Sequence, residues 1–480
     1  MKIERSDGIT PSEKYLKKLC DRAFLSLWSY SGIYRDQKQG EKGDGKELCD
    51  LLVVFENHII IFSDKYIEFP NSGNIQLDWS RWYRRAVRDS AKQIFGAERW
   101  IKSFPNRLFI DRECTQPFPI EFPSLADAIF HRIVIAHGVA EKCKKFFNGG
   151  SGSLLIDNTI IGDGHTSDIF TPFSIGQVDE EKRYVHVFNE ITLDVVLQQL
   201  DTITDFTDYL NKKERFLSSN LGVHVPGEEE LLAFYLQKLD ENGNHDFILP
   251  KEDKDINFFM LEEGFWDDFV KSPQRVSQLE ANRISYSWDA LIETFNMHIL
   301  DDTQYLAYPK GVSNQEKTVK FLARENRTRR RMLTKSLYEL MAKTPPTERG
   351  VRVGVPTRNG EPYYVFLLYP KPDDVSEDKY REYREKRGGI LEAYCLVVKY
   401  KFPSAEDIVG IATESGRRED GSEDLLYFDA RQWSEEDQKL AEHYHNEVGL
   451  LKVVKRFAGR EYEFPMEQKK KRKRHHPKNR

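Results

Sequence analysis

The sequence predicts an α/β N-terminal domain over residues 1–147, a mainly helical middle region over 148–344, and an α/β C-terminal domain over 347–465. Three observations support this division. The chain has 480 residues, which exceeds one ordinary domain of about 100–200 residues. The glycine-rich loop Asn148–Gly152 is typical of a boundary, and the break Thr344–Thr347 contains two prolines. We therefore expect several folded regions in one chain.

The N-terminal region begins with a helix and a hairpin. Thr10-Pro11-Ser12-Glu13 is a typical helix start, and apolar residues then recur at helical spacing as far as Ser29. A short strand is predicted at Gly32–Arg35. Two apolar strands follow at Leu48–Phe55 and His58–Ser63, with Glu56-Asn57 as the turn between them.

A second helix and two more strands complete this region. The helix is predicted over Trp79–Trp100, and the strands over Arg107–Ile110 and Arg132–Ala136. The order is therefore helix, strand, hairpin, helix and strand. One α/β layer of about 140 residues would accommodate these elements.

The other two regions differ in their balance of elements. In the middle region, strands are predicted at 153–156 and 184–188, and helices at 192–209, 228–239, 258–270, 276–297 and 315–343. In the C-terminal region, strands are predicted at 351–355, 363–369, 393–402, 408–412 and 425–429, and helices at 378–386 and 435–447.

The composition is typical of a soluble globular protein, because 39% of the residues are hydrophobic and 31% are charged. No apolar run approaches the roughly 20 residues of a membrane span, and the N-terminus lacks the apolar segment of a secretion signal. We therefore expect a cytoplasmic protein with no membrane partner. The five cysteines form no Cys-x-x-Cys pair, so neither a thiolate zinc site nor a disulfide framework is indicated.

The net charge of −6 is unevenly distributed. A basic, disordered tail is predicted over residues 466–480, where Lys469–Arg480 contains eight lysines and arginines and no acid. Such a tail on an acidic body could tether nucleic acid electrostatically. It could equally be a solubilising end without a partner.

Two enzyme classes lack their sequence motifs. No Gly-Lys-Ser or Gly-Lys-Thr accompanies the glycine-rich loop, so a nucleotide-phosphate loop is not indicated. No Gly-x-Ser-x-Gly is present, so a serine hydrolase finds no support.

The hairpin carries polar residues suited to phosphodiester hydrolysis. Asp50 opens one apolar strand, and Ser63 and Lys65 end the next. Carboxylates on adjacent strands suit Mg²⁺, which activates water and neutralises phosphate charge. A lysine two residues beyond a second acid would lie on the same face of its strand, where it can orient water and stabilise the phosphate.

These residues resemble the PD-(D/E)xK nuclease superfamily, which has the restriction-endonuclease-like fold. The resemblance covers about Pro11–Gly138, and the spacing from Glu47 to Asp50 is similar to the branch related to Mrr and NERD nucleases. It implies that Asp50 is the first metal-binding acid and Lys65 the catalytic lysine. Glu13 matches an extra acid that many members carry in the first helix.

The resemblance also implies a function. A member of this superfamily is expected to be a metal-dependent endonuclease that hydrolyses DNA with Mg²⁺ or Mn²⁺, in defence against foreign DNA. The metal ligands would be Asp50, Glu13 and Asp64, with Glu47 as a further acid. Double-strand cleavage would suit a homodimer or a partner protein.

Ser63 departs from the pattern of the family because it stands where the second acid is expected. Its hydroxyl is a poor ligand for Mg²⁺. Strand alternation directs Asp64 away from Asp50 unless a bulge re-aims it. Glu47, Asp64 and Glu68 are the candidate substitutes. The alternative function is an inactive nuclease fold that serves as a nucleic-acid-binding or scaffolding module.

The second helix carries a cationic face at helical spacing. The residues on this face are Arg81, Arg84, Arg85, Arg88 and Lys92. Such a face could bind the phosphates of DNA without reading sequence. It could also be a solvated surface paired with acids. A second set of cations at helical spacing consists of Arg324, Arg327, Arg331 and Lys335. Because the chain is rich in acids, we expect these cations to form ion pairs within the protein and not to bind nucleic acid.

Overall fold

The computed structural model divides into two compact units, Met1–Leu279 with Leu300–Asp302 and Glu280–Ile299 with Thr303–Arg480. The structure describes residues 2–36, 45–181, 183–249, 257–303, 312–358, 360–372, 376–416, 421–456, 459 and 461–465. The predicted basic tail lies outside these residues. Within the described ranges, no helix is long and apolar enough to cross a membrane. The architecture is mixed α/β, with three mixed sheets.

The first unit contains two of these sheets. Its strands are β1 (Ser29–Arg35), β2 (Lys46–Phe55), β3 (His58–Tyr66), β4 (Leu108–Phe109), β5 (Ile129–His137), β6 (Leu155–Ile161), β7 (Ser174–Gln177), β8 (His186–Phe188), β9 (Gly222–Val225) and β10 (Phe258–Met260). Its helices are α1 (Pro11–Phe24), α2 (Ile75–Tyr83), α3 (Asp89–Ser103), α4 (Ala140–Phe146), α5 (Glu190–Gln199), α6 (Ile203–Leu217), α7 (Glu228–Gln237), α8 (Phe265–Lys271) and α9 (Pro273–Asn282).

The six-stranded sheet has the order β4-β1-β2-β3-β5-β8. Strands β1, β2 and β3 are antiparallel neighbours, whereas β5 runs parallel to β3 and β8 parallel to β5. Helices α1 and α3 both pack against β2 and β3. Because helices cover these strands, the hairpin is apolar along nearly its whole length rather than alternating.

A π-helical turn divides the predicted second helix. The structure has α2, then a π turn at Arg84–Arg88, then α3. Single π turns often occur at functional sites, and each adds one residue to a turn of the surrounding α-helix. The regular helix predicted over Trp79–Trp100 is therefore only partly correct.

The four-stranded sheet of the first unit has the order β10-β9-β6-β7. Helices α6 and α7 contribute Phe216, Leu231 and Phe234 to its apolar core, together with Val223 and Val225 of β9. The region predicted as mainly helical thus also contains a sheet.

The units differ from the three predicted regions. Strand β8 lies beyond residue 147, yet it joins the six-stranded sheet. The glycine-rich loop is a turn inside the first unit, since Asn189 Nδ2 donates to the Gly152 carbonyl at 2.9 Å. The composition of this loop indicated a domain boundary, but the hydrogen bond joins the loop to Asn189, the residue that follows β8.

Three histidines lie on adjacent strands of the six-stranded sheet, and two of them, His131 and His186, are buried while His58 is partly buried. His58 Nδ1 lies 2.9 Å from His131 Nε2, and His186 is buried nearby. Burial lowers the pKa of His58 to about 4. Burial, with smaller contributions from His58 and Arg132, lowers the pKa of His131 to about 3. Both rings are therefore neutral in the folded protein near pH 7.

This pairing predicts acid sensitivity. The unfolded histidines bind protons near pH 6.5, whereas the folded ones do not, so stability is lost as pH falls below 6.5. The loss is about 1.4 kcal/mol per pH unit for each histidine. Thermal denaturation should show a drop in Tm from pH 7 to pH 5 that is smaller in His131→Gln. An equal drop in both proteins would contradict this explanation.

The second unit contains the third sheet. Its helices are α10 (Tyr286–Leu300), α11 (Val312–Ala323), α12 (Arg327–Lys343), α13 (Glu377–Lys401) and α14 (Glu435–Asn446), and its strands are β11 (Gly350–Gly354), β12 (Tyr363–Tyr369), β13 (Asp407–Glu414) and β14 (Asp424–Asp429). The sheet order is β11-β12-β13-β14, with β12 parallel to β13.

One predicted strand of this unit is wrong. Residues 393–402 lie almost wholly in helix α13, which also includes the helix predicted at 378–386. Two parallel strands need a long crossover, and α13 provides it between β12 and β13. Its residues Leu391, Tyr394 and Val398 are buried in the core of the unit. Tertiary packing here overrides the strand propensity of a valine-rich and tyrosine-rich segment.

The second set of arginines is paired internally, as the acid-rich composition favoured. Arg327 and Arg330 both bind Asp289, at 2.8 and 2.7 Å. Arg331 is fully buried and lies 3.0 Å from Glu461. These guanidinium groups are therefore paired inside the second unit and do not form an exposed surface for nucleic acid.

Candidate active site

The hairpin strands separate at Asp50. The antiparallel ladder between β2 and β3 begins at Leu51 opposite Phe62. One residue before it, Asp50 Oδ2 accepts a hydrogen bond of 2.6 Å from the backbone N–H of Asp64. The Asp64 N–H thus bonds to the carboxylate of Asp50 and not to a backbone carbonyl of β2. A side chain is held at the point where two strands diverge.

A bulge lies next to this point on the other edge of β2. Ile33 of β1 pairs with Cys49, but the next residue, Tyr34, pairs with Glu47. Strand β2 therefore has one extra residue between Glu47 and Cys49. Such a bulge bends the strand and changes the direction of nearby side chains.

Three carboxyl groups interact electrostatically with the carboxyl group of Asp50. Burial is the main cause that raises the pKa of Asp50 to about 7, and the charges of Glu47, Asp64 and Glu13 add to it. The hydrogen bond from the Asp64 backbone acts in the opposite direction. Burial and then Glu13 raise the pKa of Glu47, while Lys65 opposes them. The lysine is therefore close enough to influence this group.

Ser63 lies in the interior. Its side chain is fully buried, and its Oγ has no hydrogen-bond partner within the described part of the chain. Asp64, the next residue, faces the other side of the strand. The hydroxyl of Ser63 has no contact with Asp50 or Lys65 among the described hydrogen bonds. Of the candidate substitutes, Asp64 contacts Asp50 through its backbone N–H, whereas its carboxylate contacts His137.

Glu13, which the sequence predicts as a metal ligand, caps the N-terminus of α1 in the structure. Its Oε2 accepts hydrogen bonds from the backbone N–H groups of Ile9 and Thr10, at 2.7 and 3.3 Å. Thr10 Oγ1 in turn accepts from the Glu13 backbone, which completes a capping box at the start of α1. Glu13 therefore contributes its charge to the cluster while it caps the helix. Glu68 is exposed.

His137 is a residue of the site that the sequence patterns did not single out. Its Nε2 lies 2.5 Å from Asp64 Oδ1, and the side chain of Asp64 is completely buried. Burial lowers the pKa of His137, but the hydrogen bond and charge of Asp64, with Glu190 and Asp194, raise it overall. Asp64 Oδ2 has no hydrogen-bond partner in the described ranges.

The signal that could have found His137 is strand direction. Strands β3 and β5 are parallel, and Tyr66 pairs with His137 at their carboxyl ends. The side chains at the carboxyl ends of two neighbouring parallel strands meet at one edge of the sheet. The sequence did not establish that these two strands are adjacent.

The cationic face is only partly available. Arg81, Arg84 and Arg85 are exposed, and no ion pair or hydrogen bond of their side chains occurs among the described residues. Arg88, by contrast, lies 3.2 Å from Asp163, and Lys92 lies 3.7 Å from Asp89. Three of the five predicted cations are therefore free to bind an anionic partner.

The acids near Asp50 are of the type that hard divalent cations bind. No group of three or more His, Cys, Asp and Glu side chains has metal-binding geometry in the described part of the chain. Asp50 is nevertheless crowded by like charges, and Asp64 retains a buried oxygen without a partner. Both conditions are relieved by a bound cation, and carboxylate oxygens are the ligands that Mg²⁺ prefers.

Comparison of the chain with protein-family models, curated proteins and solved structures gave no match.

Proposed function

We propose that the first unit is a metal-dependent endonuclease that hydrolyses phosphodiester bonds of DNA. The observation that carries this proposal is the environment of Asp50. The partly buried carboxylate of Asp50 accepts the Asp64 N–H where two strands separate, and burial, with smaller contributions from the charges of Glu47, Asp64 and Glu13, raises its pKa to about 7. Such a cluster is costly unless a cation binds it. Defence against foreign DNA is the role that the resemblance implies.

The order of elements supports the proposal. Helix α1 precedes three antiparallel strands, and α2 and α3 connect β3 to the parallel strand β5. This is the order of the restriction-endonuclease-like fold that the sequence resembles. The hairpin β2–β3 carries Asp50 on one strand and Asp64 and Lys65 on the other.

In this proposal Asp50 and Asp64 hold Mg²⁺ or Mn²⁺, with Glu47 as a further acid. When bound, the ion lowers the pKa of water and neutralises charge on the phosphate. Lys65 is exposed beside Glu47, where its ammonium can orient water and stabilise developing negative charge. Arg81, Arg84 and Arg85 hold the DNA backbone.

One observation favours the alternative, an inactive nuclease fold that binds nucleic acid. Ser63 replaces the expected second acid and is buried, and Glu13 Oε2 is used in the helix cap. Loss of two of the expected ligands would weaken metal binding without affecting the exposed arginines.

Plasmid nicking distinguishes the two functions. The full-length protein should nick supercoiled plasmid with Mg²⁺ or Mn²⁺, and EDTA should stop the reaction. Lys65→Ala should slow nicking by roughly 100-fold because charge stabilisation of the phosphate is lost. Lys144→Ala, which removes an exposed lysine of α4, is the matched control and should nick as the natural protein does.

The alternative, an inactive nuclease fold that binds nucleic acid, predicts a different result in the nicking assay. If all three proteins retain plasmid binding but show equal background nicking with either metal, the chain is a binding module and the nuclease proposal is wrong.

A further inference from the structure

Asp64 and His137 form a side-chain pair at the carboxyl ends of two parallel strands. His137 is the last residue of β5, and Asp64 lies two residues before the end of β3. The two side chains meet through Nε2 and Oδ1, 2.5 Å apart. The side chain of His137 is 15% exposed and that of Asp64 is not exposed at all. The histidine therefore lies between the buried carboxylate and solvent.

Asp64 makes two connections. Its backbone N–H donates to Asp50 Oδ2 at 2.6 Å, and its Oδ1 contacts His137. The second oxygen, Oδ2, is buried without a hydrogen-bond partner in the described ranges. These contacts link strands β2, β3 and β5, so the orientation of Asp64 depends on His137.

The backbone holds His137 in place. Its carbonyl accepts a hydrogen bond from Trp82 Nε1 at 3.4 Å. Gly138 follows with a φ of +90°, and a Cβ there would lie 2.4 Å from the Ile67 carbonyl oxygen. Glu190 Oε1 accepts weak hydrogen bonds from the backbone N–H groups of Gly138 and Ala140, both at 3.4 Å. These contacts therefore fix the backbone from which the imidazole ring of His137 extends.

We propose that His137 is a positioning residue of this site, which holds Asp64 Oδ1 so that Oδ2 remains as the oxygen that binds the metal ion. The proposal rests on the proposed nuclease function. Partners that hold ligating carboxylates usually contribute about 10- to 100-fold to metal affinity or activity. The imidazole N–H fixes one oxygen of the carboxylate, and the buried position of the pair keeps water from competing.

A purely packing role makes a different prediction. Glutamine can donate an amide N–H to Asp64, whereas phenylalanine fills the ring volume without a donor. If the hydrogen bond matters, His137→Gln should retain function and His137→Phe should not. If packing matters, the result should be reversed.

The experiment measures Mn²⁺ binding to the full-length protein without DNA, by electron paramagnetic resonance of the free ion. The natural protein should bind Mn²⁺, His137→Phe should bind it about 10- to 100-fold more weakly, and His137→Gln should recover most of the affinity. The matched control is His224→Phe. His224 forms a histidine–aspartate pair with Asp157 at 3.6 Å elsewhere in the first unit, and its loss should leave the affinity unchanged.

Nicking of plasmid as a function of Mn²⁺ concentration gives the second readout, in which His137→Phe should need more metal for half-maximal rate. Unchanged Mn²⁺ affinity in His137→Phe, or equal weakening in the Gln and Phe variants, would overturn the role of His137 alone. Absence of both Mn²⁺ binding and nicking in the natural protein would overturn the nuclease function as well. Circular dichroism of each variant reports whether it folds.

Discussion

Asp50→Asn should abolish metal-dependent nicking, with a loss on the order of 1,000-fold. Asparagine keeps an oxygen that can accept the Asp64 N–H, so the strand geometry is preserved. It removes the negative charge that the proposed metal ion requires. Glu121→Gln is the matched control, since this carboxylate is exposed in the same unit. A rate for Asp50→Asn within a few-fold of the natural protein would remove Asp50 from the mechanism.

The same substitution should stabilise the protein without metal. Because burial and like charges raise the pKa of Asp50 from 3.8 to about 7, its protonated form stabilises the fold at low pH. This contribution is lost as pH rises from about 4 through about 7, with an upper bound of about 4 kcal/mol.

Asparagine cannot ionise, so Asp50→Asn should have the higher Tm at pH 8, and the difference should disappear near pH 4. Added Mg²⁺ should raise the Tm of the natural protein but not that of the variant. A lower Tm for Asp50→Asn than for the natural protein at pH 8 would show that the ionised carboxylate of Asp50 does not destabilise the fold.

The second large effect is expected from the exposed arginines. Arg84→Ala with Arg85→Ala removes two free cations from the π turn that joins α2 and α3. Loss of two phosphate contacts should weaken DNA binding roughly 10- to 100-fold at about 0.1 M salt, and should reduce the slope of log affinity against log salt by about 2. Fluorescence anisotropy with labelled duplex DNA measures both quantities.

The control for this variant removes the same charge from another surface. Lys144→Ala with Lys145→Ala changes two exposed lysines of α4 in the same unit. The control should bind DNA nearly as tightly as the natural protein. Equal losses in the two double variants would mean that binding depends on net charge and not on the arginine face.

Local patterns predicted the elements near the hairpin well. The two apolar strands and the turn Glu56-Asn57 follow from hydrophobic runs and turn residues, and they correspond to β2 and β3. The start of α1 follows from Thr10 and Glu13, which form the capping box. The acids Glu47 and Asp64 were named as substitutes for Ser63, and the structure brings both into the environment of Asp50.

Long-range features were beyond sequence patterns. Asp64 and His137 are separated by 73 positions, and only the adjacency of β3 and β5 brings them together. The π turn at Arg84–Arg88 was not indicated by the helical spacing of the apolar residues in this segment. Helix α13 contains a segment with strand propensity because the crossover between β12 and β13 requires a helix there. For the Asp64–His137 pair and for α13, non-local packing decided the outcome.

The participation of β8 in the six-stranded sheet defines the smallest fragment that retains the candidate site. A chain cut after residue 147 would lose β8 and Glu190, whose carboxylate accepts from the turn behind His137. It would also leave the β5 edge with unpaired backbone groups, which promote aggregation. The framework of the candidate site therefore extends beyond the glycine-rich loop, because β8 and Glu190 are hydrogen-bonded to β5 and to the turn that follows it.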